Sequence, residues 1–539
     1  MFLWIKKNWP YLLILTLLTL VTFGNSLNNA FLSDDIAEIR DNPLVGNLGY
    51  SISSHPFGFI RLIFYWMALQ IGGLNPIFFR SINLFFHIGS TFLIFVILNK
   101  LYSKRPALIV ASIFAVHPAI SESVVWISGG MYPQYTFFFL LSFLLYLLSK
   151  DRIKLYFASV GSFLLAFMSH PVMPLPLFLI FPLWEFLLGN LKKNWPKTIP
   201  FLALSIFYIF VNLAAIPERA TTLQSVHYQE RGIDNQLILI PAAISSYLEL
   251  TFWPKTLTLY HSELAFGQIE FAIRAAITAL FIGATLISFK VNKLLFFFLS
   301  LFWIALSPTL TPFRFNWIVA ERYLYLPILG ILAVVALGLV KLEQIIKIKR
   351  IAYAILVIIL ILLSTRTIIR NIDWKNEDNL WIATGKTSPS SPNTHNNLGD
   401  VYGRAGDKIR ALQEFQKAIE LKPNYGDAYH NLANTYRELE QNDRALDYYQ
   451  KAAFYNPNLW QSYQNIAALY FQSKQYDLAL ENIQKAIQIN PKNINLRNNL
   501  AIIFLMTGDK EKAKEIFSLV LSVDPQNQLA RQGLIEASK

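Results

Sequence analysis

Long apolar runs alternate with short basic turns over the first 370 residues, and a soluble, helical pattern follows. Crossing about 30 Å of hydrocarbon as an α-helix takes roughly 17–25 apolar residues. Eleven runs meet that length, at 9–26, 77–99, 106–128, 133–149, 154–170, 173–189, 198–216, 270–288, 294–310, 321–341 and 350–367. Only "SHPVMP" separates the runs at 154–170 and 173–189, so these two also read as one broken pair. A twelfth stretch, 236–254, carries Pro241 and Glu249 and is read as re-entrant or interfacial. The pattern predicts an all-α chain, beginning with a polytopic transmembrane bundle of about eleven spans.

Beyond residue 388 the signal changes from hydropathy to repetition. Pro389, Pro423, Pro457, Pro491 and Pro525 recur at intervals of 34 residues, the period of tetratricopeptide (TPR) repeats. The first unit fills the signature positions with Leu398, Gly399, Tyr402, Ala411, Phe415, Ala418 and Pro423. The second does so with Leu432, Ala433, Tyr436, Ala445, Tyr449, Ala452 and Pro457, and the fourth is the loosest. Small residues let the two helices of a unit approach, aromatics fill between them, and stacking supplies a core no single repeat has. The expected organisation is therefore a membrane domain at 1–370, a linker or pre-repeat helix at 371–391, four repeats at 392–527 and a capping helix at 528–539. Asparagines recur on the helices expected to line the concave face: Asn396, Asn397, Asn431, Asn434, Asn465, Asn498 and Asn499. They read either as an amide ladder for the backbone of a partner protein or as residues merely tolerated on a solvated face.

Composition fits this division. Hydrophobic residues make up 54% of the chain and charged ones 15%, against about a quarter in soluble proteins. The net charge of +13 does not mark a nucleic-acid binder, because residues 392–539 hold 17 basic and 16 acidic side chains. The excess lies in the turns of the membrane half, at Lys6-Lys7, Lys100/Lys104/Arg105, Lys150/Arg152/Lys154, Lys192-Lys193/Lys197, Lys290/Lys293 and Lys341/Lys347/Lys349/Arg350. With eleven spans and a cytoplasmic N-terminus all six clusters fall on the cytoplasmic side, and the repeats are expected in the periplasm or lumen. The first run has the charge and apolar core of a signal peptide, yet "GNSLNN" offers no convincing cleavage site, so an uncleaved helix is expected. The absence of cysteine removes disulfides, thiolate metal sites and a cysteine nucleophile together.

Candidate chemistry gathers where polar residues interrupt the apolar runs. Asp34 and Asp35 follow the first span, where a carboxylate can deprotonate an acceptor hydroxyl. The alternative is a cap, with Ser33 or Asp34 at the N-terminus of "IAEIR". The two carboxylates can also ligate Mg²⁺, although a pair without further ligands is a thin set, and a divalent metal is left open. His117, Ser121 and Glu122 fall in or near the bilayer, where ionisable groups are costly; His117-Pro118 reads equally as a kink with its imidazole on a carbonyl. Arg314 and Arg322 suit a phosphate leaving group, whereas Glu321-Arg322 also reads as a simple ion pair. Asn83 and His87, one turn apart, make a further polar patch. No Walker A, HExxH or nucleophile-elbow motif occurs, and no matching hydropathy halves of the transporter kind are seen.

Taken in order, the acidic pair, "NLFFH", "HPAISESVVWISG", "WPKTLTLYH", "AERYLYLP", "RNIDWKNEDNLW" and the repeats resemble the transmembrane-and-TPR O-mannosyltransferase family, within the C-type superfamily of lipid-donor glycosyltransferases. The resemblance spans essentially the whole chain. It implies inverting transfer of a sugar from a polyprenyl-phosphate-sugar donor to a protein Ser/Thr hydroxyl on the outer face of the membrane. Asp34 or Asp35 would be the base, Arg314 or Arg322 would hold the donor phosphate, and His117, Glu122 and Glu321 would support them. The repeats, through Asn397, Asn431, Asn434, Asn465 and Asn499, would bind the acceptor. Where the family continues with a basic and then an acidic residue after Gly, this chain reads Gly129-Gly130-Met131-Tyr132-Pro133. The competing reading is a non-catalytic, membrane-anchored TPR scaffold that recruits periplasmic or luminal proteins.

Overall fold

The computed structural model describes residues 2–150, 152–215, 236–264, 266–310, 318–346 and 349–539. Every regular element among them is helical. Two compact units divide the chain, the first ending at Ser388 and the second running from Pro389 to Lys539.

Six helices of the first unit are long and apolar enough to cross a membrane: Lys6–Ser26, Pro76–Leu101, Ser128–Ser149, Leu191–Ala214, Gln268–Val291 and Ile351–Asp373. Pro76–Leu101 and Ser128–Ser149 are mostly buried, while the other four are largely exposed; on the last of them Ile355, Val357, Ile358, Ile361 and Leu362 are all exposed, a surface that bilayer lipid covers. Eleven full spans are not found among the described residues, and the reasons are local. The run at 106–128 breaks into Lys104–Val116 and Pro118–Val125, bent by 58°; counted as one span, this pair makes seven. Pro118 forces His117 into extended backbone (φ −70°, ψ 126°), so the helix ends there. Residues 321–324 form a separate 3₁₀ turn and the helix begins only at Ile328, just after Pro327. The runs at 154–170, 173–189 and 294–310 become the shorter apolar helices Ile153–Ser169, Leu175–Leu187 and Lys293–Thr309. Residues 236–254 form one helix, Gln236–Phe252, with Pro241 inside it. An apolar helix at Ile60–Gly72, too short to register as a span, was not anticipated.

In the second unit the sequence period becomes a structural one. Helices start at Pro392, Gly426, Trp460 and Ile494, their partners at Lys408, Asn442, Tyr476 and Lys510, and the last helix at Gln528. Ala411, Ala445, Ala479 and Ala513 are fully buried at matching positions. A Cβ on Gly399 would lie 2.5 Å from the Phe415 ring, so glycine lets this ring sit against the first helix, where the later repeats carry Ala433, Ala467 and Ala501. Each pair turns through one residue of positive φ: Gly406 (81°), Glu440 (59°), Lys474 (61°) and Gly508 (86°). The amide after each donates to the carbonyl of the signature aromatic, as Asp407 to Tyr402 (2.9 Å) and Gln441 to Tyr436 (2.9 Å), a Schellman closure repeated through the array.

Candidate functional site

The acidic pair divides at Ser33, whose φ of 50° turns the chain. Asp35 goes fully inside, while Asp34 stays exposed with no hydrogen bond or ion pair among the described residues. Oδ1 of Asp35 accepts from the Ser128 amide (2.8 Å) and hydroxyl (2.6 Å), and Oδ2 from the Leu32 amide (3.3 Å). Burial outweighs these donors and the nearby Arg80 charge, and the carboxyl is pushed up to about 6. The cap position of the Ile36–Arg40 turn falls to Asp35 rather than to Ser33 or Asp34, and the Asp35 side chain makes no cap bond. One carboxylate inside and one outside also do not converge on a shared metal, and no cluster of three or more His, Cys, Asp or Glu suited to a metal occurs among the described residues.

Arg80, hidden in an apolar run, holds the approach to this pair. Its Nε donates to the Val125 carbonyl (2.8 Å), and its two Nη atoms donate to the carbonyls of Asn29 and Ala30. Sequence reasoning passed over it, although an arginine near the start of a span is the kind of residue a bilayer tolerates only with partners. Asn83, on the same helix, donates to the carbonyls of Trp126 (3.0 Å) and Ile127 (3.3 Å). His87 bonds Tyr325 Oη (2.7 Å) and the Ala115 carbonyl (3.3 Å). These two residues anchor neighbouring helices.

Glu122 and Arg322 meet across 200 positions. Glu122 is fully buried; Oε1 accepts from Arg322 Nη1 (2.5 Å) and Oε2 from the Arg322 amide (2.9 Å). Nε and Nη2 of Arg322 have no protein partner among the described residues, and its guanidinium lies 5.9 Å from the Trp126 ring and 5.1 Å from that of Tyr323. Glu321 does not pair with its neighbour. Its Oε1 accepts from the Thr258 amide and from Arg370 Nη2 (3.3 Å), and its Oε2 is buried without a partner. Arg370 also bonds Asp373 (3.0 Å), and its guanidinium lies 5.6 Å from the Trp374 ring. Arg370, Asp373 and Trp374 were visible in sequence only as part of "RNIDWKNEDNLW".

His117 is spent on structure. Its Nδ1 accepts from the Ala119 amide (3.2 Å), so Nε2 carries the hydrogen and donates to the Thr251 carbonyl (3.0 Å). Ser121 turns back onto the Pro118 carbonyl (2.7 Å). Arg314 lies outside the described residues.

Trp126 ties the two halves of the site together: Nε1 donates to the Leu32 carbonyl (3.4 Å), and its ring stacks on Trp374 at 6.2 Å. Tyr260 lies within the field of both halves; burial chiefly, then the charges of Asp34 and Glu122 against that of Arg322, push its hydroxyl up to about 12. Thr258 and His261, on the same loop, line a cavity of about 360 Å³ with Glu249, Glu270 and Arg274. Gly129 and Gly130 are explained by close packing: a Cβ would lie 2.8 Å from the Glu122 carbonyl at the first and 1.9 Å from Asn83 Oδ1 at the second. A side chain at Gly130 fits only if Asn83 moves, and one at Gly129 only if the Glu122 backbone does.

In the repeat unit the asparagines mostly bond one another. Asn431 donates to Asn396 (3.1 Å) and Asn465 to Asn434 (3.2 Å), while Asn434 also accepts from the Tyr449 hydroxyl (2.5 Å). Asn397 donates to the Asn393 carbonyl (2.7 Å). Asn499 differs: it lines a groove of about 300 Å³ with Gln464, Phe471 and Ile502.

Comparison with known proteins places the second unit first. Tetratricopeptide repeat models match residues 392–425, 414–447 and 470–536. Among solved structures, MamA from Desulfovibrio magneticus RS-1 covers 28% of this chain and 85% of its own at 20% identity, with a TM-score of 0.26. Over three quarters of its length the chain is homologous to transmembrane proteins that carry such repeats. It is similar to the mouse protein O-mannosyl-transferase TMTC3, 22% identical over 461 residues that cover 75% of this chain and 50% of the relative. The human protein O-mannosyl-transferase TMTC3 gives 24% over 464 residues, with the same two coverages of 75% and 50%. The fruit-fly protein O-mannosyl-transferase Tmtc2 is 34% identical over 119 residues, 21% of this chain and 12% of the relative. The chain thus spans half or less of the length of these relatives.

Proposed function

We propose that this protein is a membrane glycosyltransferase that moves a sugar from a polyprenyl-phosphate-sugar to a Ser/Thr hydroxyl of a protein on the outer face, with the repeats holding the acceptor. The relatives' name supports sugar transfer to protein. The observation that carries the reading is Trp126, which reaches the acidic loop through the Leu32 carbonyl and lies beside the Arg322 guanidinium. A free carboxylate and a guanidinium with spare donors therefore border one region.

Of the acidic pair, Asp34 is the base and Asp35 the positioning residue, since only Asp34 has its oxygens free. Asp34 takes the hydroxyl proton as the acceptor oxygen attacks the anomeric carbon. The carbon–oxygen bond to phosphate breaks with inversion, and polyprenyl phosphate leaves with the electron pair. Nε and Nη2 of Arg322 meet the developing phosphate charge, while Glu122 fixes the guanidinium and Glu321 keeps Arg370 and the Thr258 loop in place. A hydroxyl has an unperturbed affinity for its proton far above that of a carboxylate, so Asp34 works by taking the proton as the new bond forms.

The test is transfer from a polyprenyl-phosphate-mannose donor by the purified protein. Asp34→Asn is expected to lower the rate by 10²–10⁴-fold, about the worth of a general base. Asp35→Asn is expected to lower it less. If Asp34→Asn leaves a demonstrated transfer unchanged, the base assignment is wrong. The scaffold reading has its own support in Gly129-Gly130-Met131-Tyr132, where no charged pair follows the glycine; it predicts no transfer and unchanged partner capture in both variants. A reporter fused behind residue 392 tests the side on which the repeats lie.

A further inference from the structure

The first unit holds a second cavity, of about 480 Å³, which the proposed reaction does not use. Lys100, Lys150 and Lys197 border it, together with Trp184, Leu188 and Leu294. The three lysines come from different elements: the last turn of Pro76–Leu101, the residue after Met131–Ser149, and the Trp195–Thr198 turn. Glu185, the carboxylate in the wall, is buried and already satisfied by the Tyr146 hydroxyl (3.0 Å), the Asn190 amide (3.0 Å) and Asn194 Nδ2 (2.8 Å). No ion pair joins the three ammonium groups to a carboxylate among the described residues; Lys197 donates only to the Lys150 carbonyl (3.3 Å). Three other basic groups of the unit are engaged, Arg105 with Glu343, Lys104 over Tyr11 and Lys293 over Phe289.

We infer that this cavity is a binding site for an anionic phospholipid, with the headgroup phosphate among the three lysines and the acyl chains along the Trp184–Leu294 wall. Three cations against one carboxylate, itself held by neutral donors, leave a net positive charge among the described residues of the lining, and a basic pocket between membrane helices recruits an anionic headgroup. The apolar half of the lining selects a lipid over free phosphate, which has no use for it. Lysines at helix C-termini also offset the helix dipole. That role needs no convergence of three elements on one cavity.

Native mass spectrometry of the purified full chain, titrated with dioleoyl-phosphatidylglycerol and separately with dioleoyl-phosphatidylcholine, tests the site. Lys100→Gln/Lys150→Gln/Lys197→Gln is expected to weaken phosphatidylglycerol retention on the order of a hundredfold, about fivefold for each lysine. Lys192→Gln/Lys193→Gln/Lys290→Gln removes three lysines from the neighbouring turns without touching the cavity, and is expected to change retention by about twofold or less. Equal losses in the two triple variants would reduce the effect to general surface charge and overturn the site. Equally tight phosphatidylcholine would overturn the anionic requirement. Full competition by inorganic phosphate alone would reassign the cavity to a soluble anion. Should the first triple variant fail to purify, the single Lys→Gln variants carry the same comparison.

Discussion

Asp35→Asn should stabilise the protein at neutral pH, an unusual outcome for a residue beside a catalytic candidate. The carboxyl is pushed from 3.8 up to about 6 because burial costs the anion more than Ser128, Leu32 and Arg80 return. A shift of about two units corresponds to about 3 kcal/mol between the two protonation states. The sign follows from proton counts. Between about pH 4 and about pH 6 the folded protein holds a proton there that the unfolded chain has released, so this group's stabilisation is complete below about pH 4 and lost as pH rises through about 6. Asparagine copies the neutral form: its oxygen can accept from both Ser128 donors, though its amide nitrogen then faces the Leu32 amide, a mismatch worth about 1 kcal/mol at every pH. The variant is therefore expected to be slightly less stable than wild type at about pH 4 and about 2 kcal/mol more stable at about pH 7. Thermal unfolding of both proteins in the same detergent across that range measures it, and subtracting one curve from the other removes every other titrating group. A difference that stays flat with pH, or an asparagine variant less stable at neutral pH, would falsify the claim that burial dominates at this carboxyl.

Other expectations reach further from the acidic pair. Glu122→Gln and Arg322→Met should each cost about 3–5 kcal/mol, because either leaves an uncompensated partner largely out of water, while the double variant should recover much of that loss in the same unfolding assay. A double variant as unstable as the sum of the two singles would mean the pair is not coupled. In the repeat array expressed alone, Glu440→Gly and Lys474→Gly should each raise stability by about 1 kcal/mol, since both residues hold a left-handed backbone that glycine adopts freely; urea unfolding midpoints read this directly. His430, hydrogen-bonded to Ser462 (2.8 Å), is pushed down by burial from 6.5 to about 4. Its contribution, about 3 kcal/mol, is present above about pH 6.5 and lost as pH falls through about 4, the opposite sense to Asp35. The His430→Gln array should lack that acid sensitivity, and an unchanged pH dependence would rule the histidine out as its source.

Repetition explains why the array was legible in outline. Five prolines at one spacing fix the ends of helices whose starts then recur at the same interval, from Pro392 to Gln528. The bonding of the asparagines was not legible, because Asn431 and Asn396 meet only once neighbouring repeats stack. The site followed the same division. Asp35, Glu122, Arg322 and Glu321 stood out as charges in apolar surroundings, but Ser128 lies 93 positions from Asp35 and Arg322 lies 200 from Glu122. Glu321 and Arg322 looked like one ion pair, yet in a 3₁₀ turn successive side chains project about 120° apart, and each finds a different partner. Eleven spans are not confirmed among the described residues because hydropathy measures composition, not helix length, and proline can divide a run without changing its average.

The count carried the sidedness argument in the sequence, and only six or seven of the eleven spans are matched by helices of full length among the described residues. Two helices restore the separation of faces without any counting. Pro76–Leu101 has Arg80 beside the acidic loop near one end and Lys100 at the lysine cavity near the other; 20 residues at about 1.5 Å each separate them by about 30 Å. Met131–Ser149 begins three residues after Ser128, which holds Asp35, and ends at Lys150, which borders the same cavity. Acidic site and lysine cavity thus lie a hydrocarbon thickness apart along two independent elements. Lysine-rich ends face the cytoplasm as a rule, so this separation supports the proposed outer placement of Asp34 and Arg322 without resting on the number of spans.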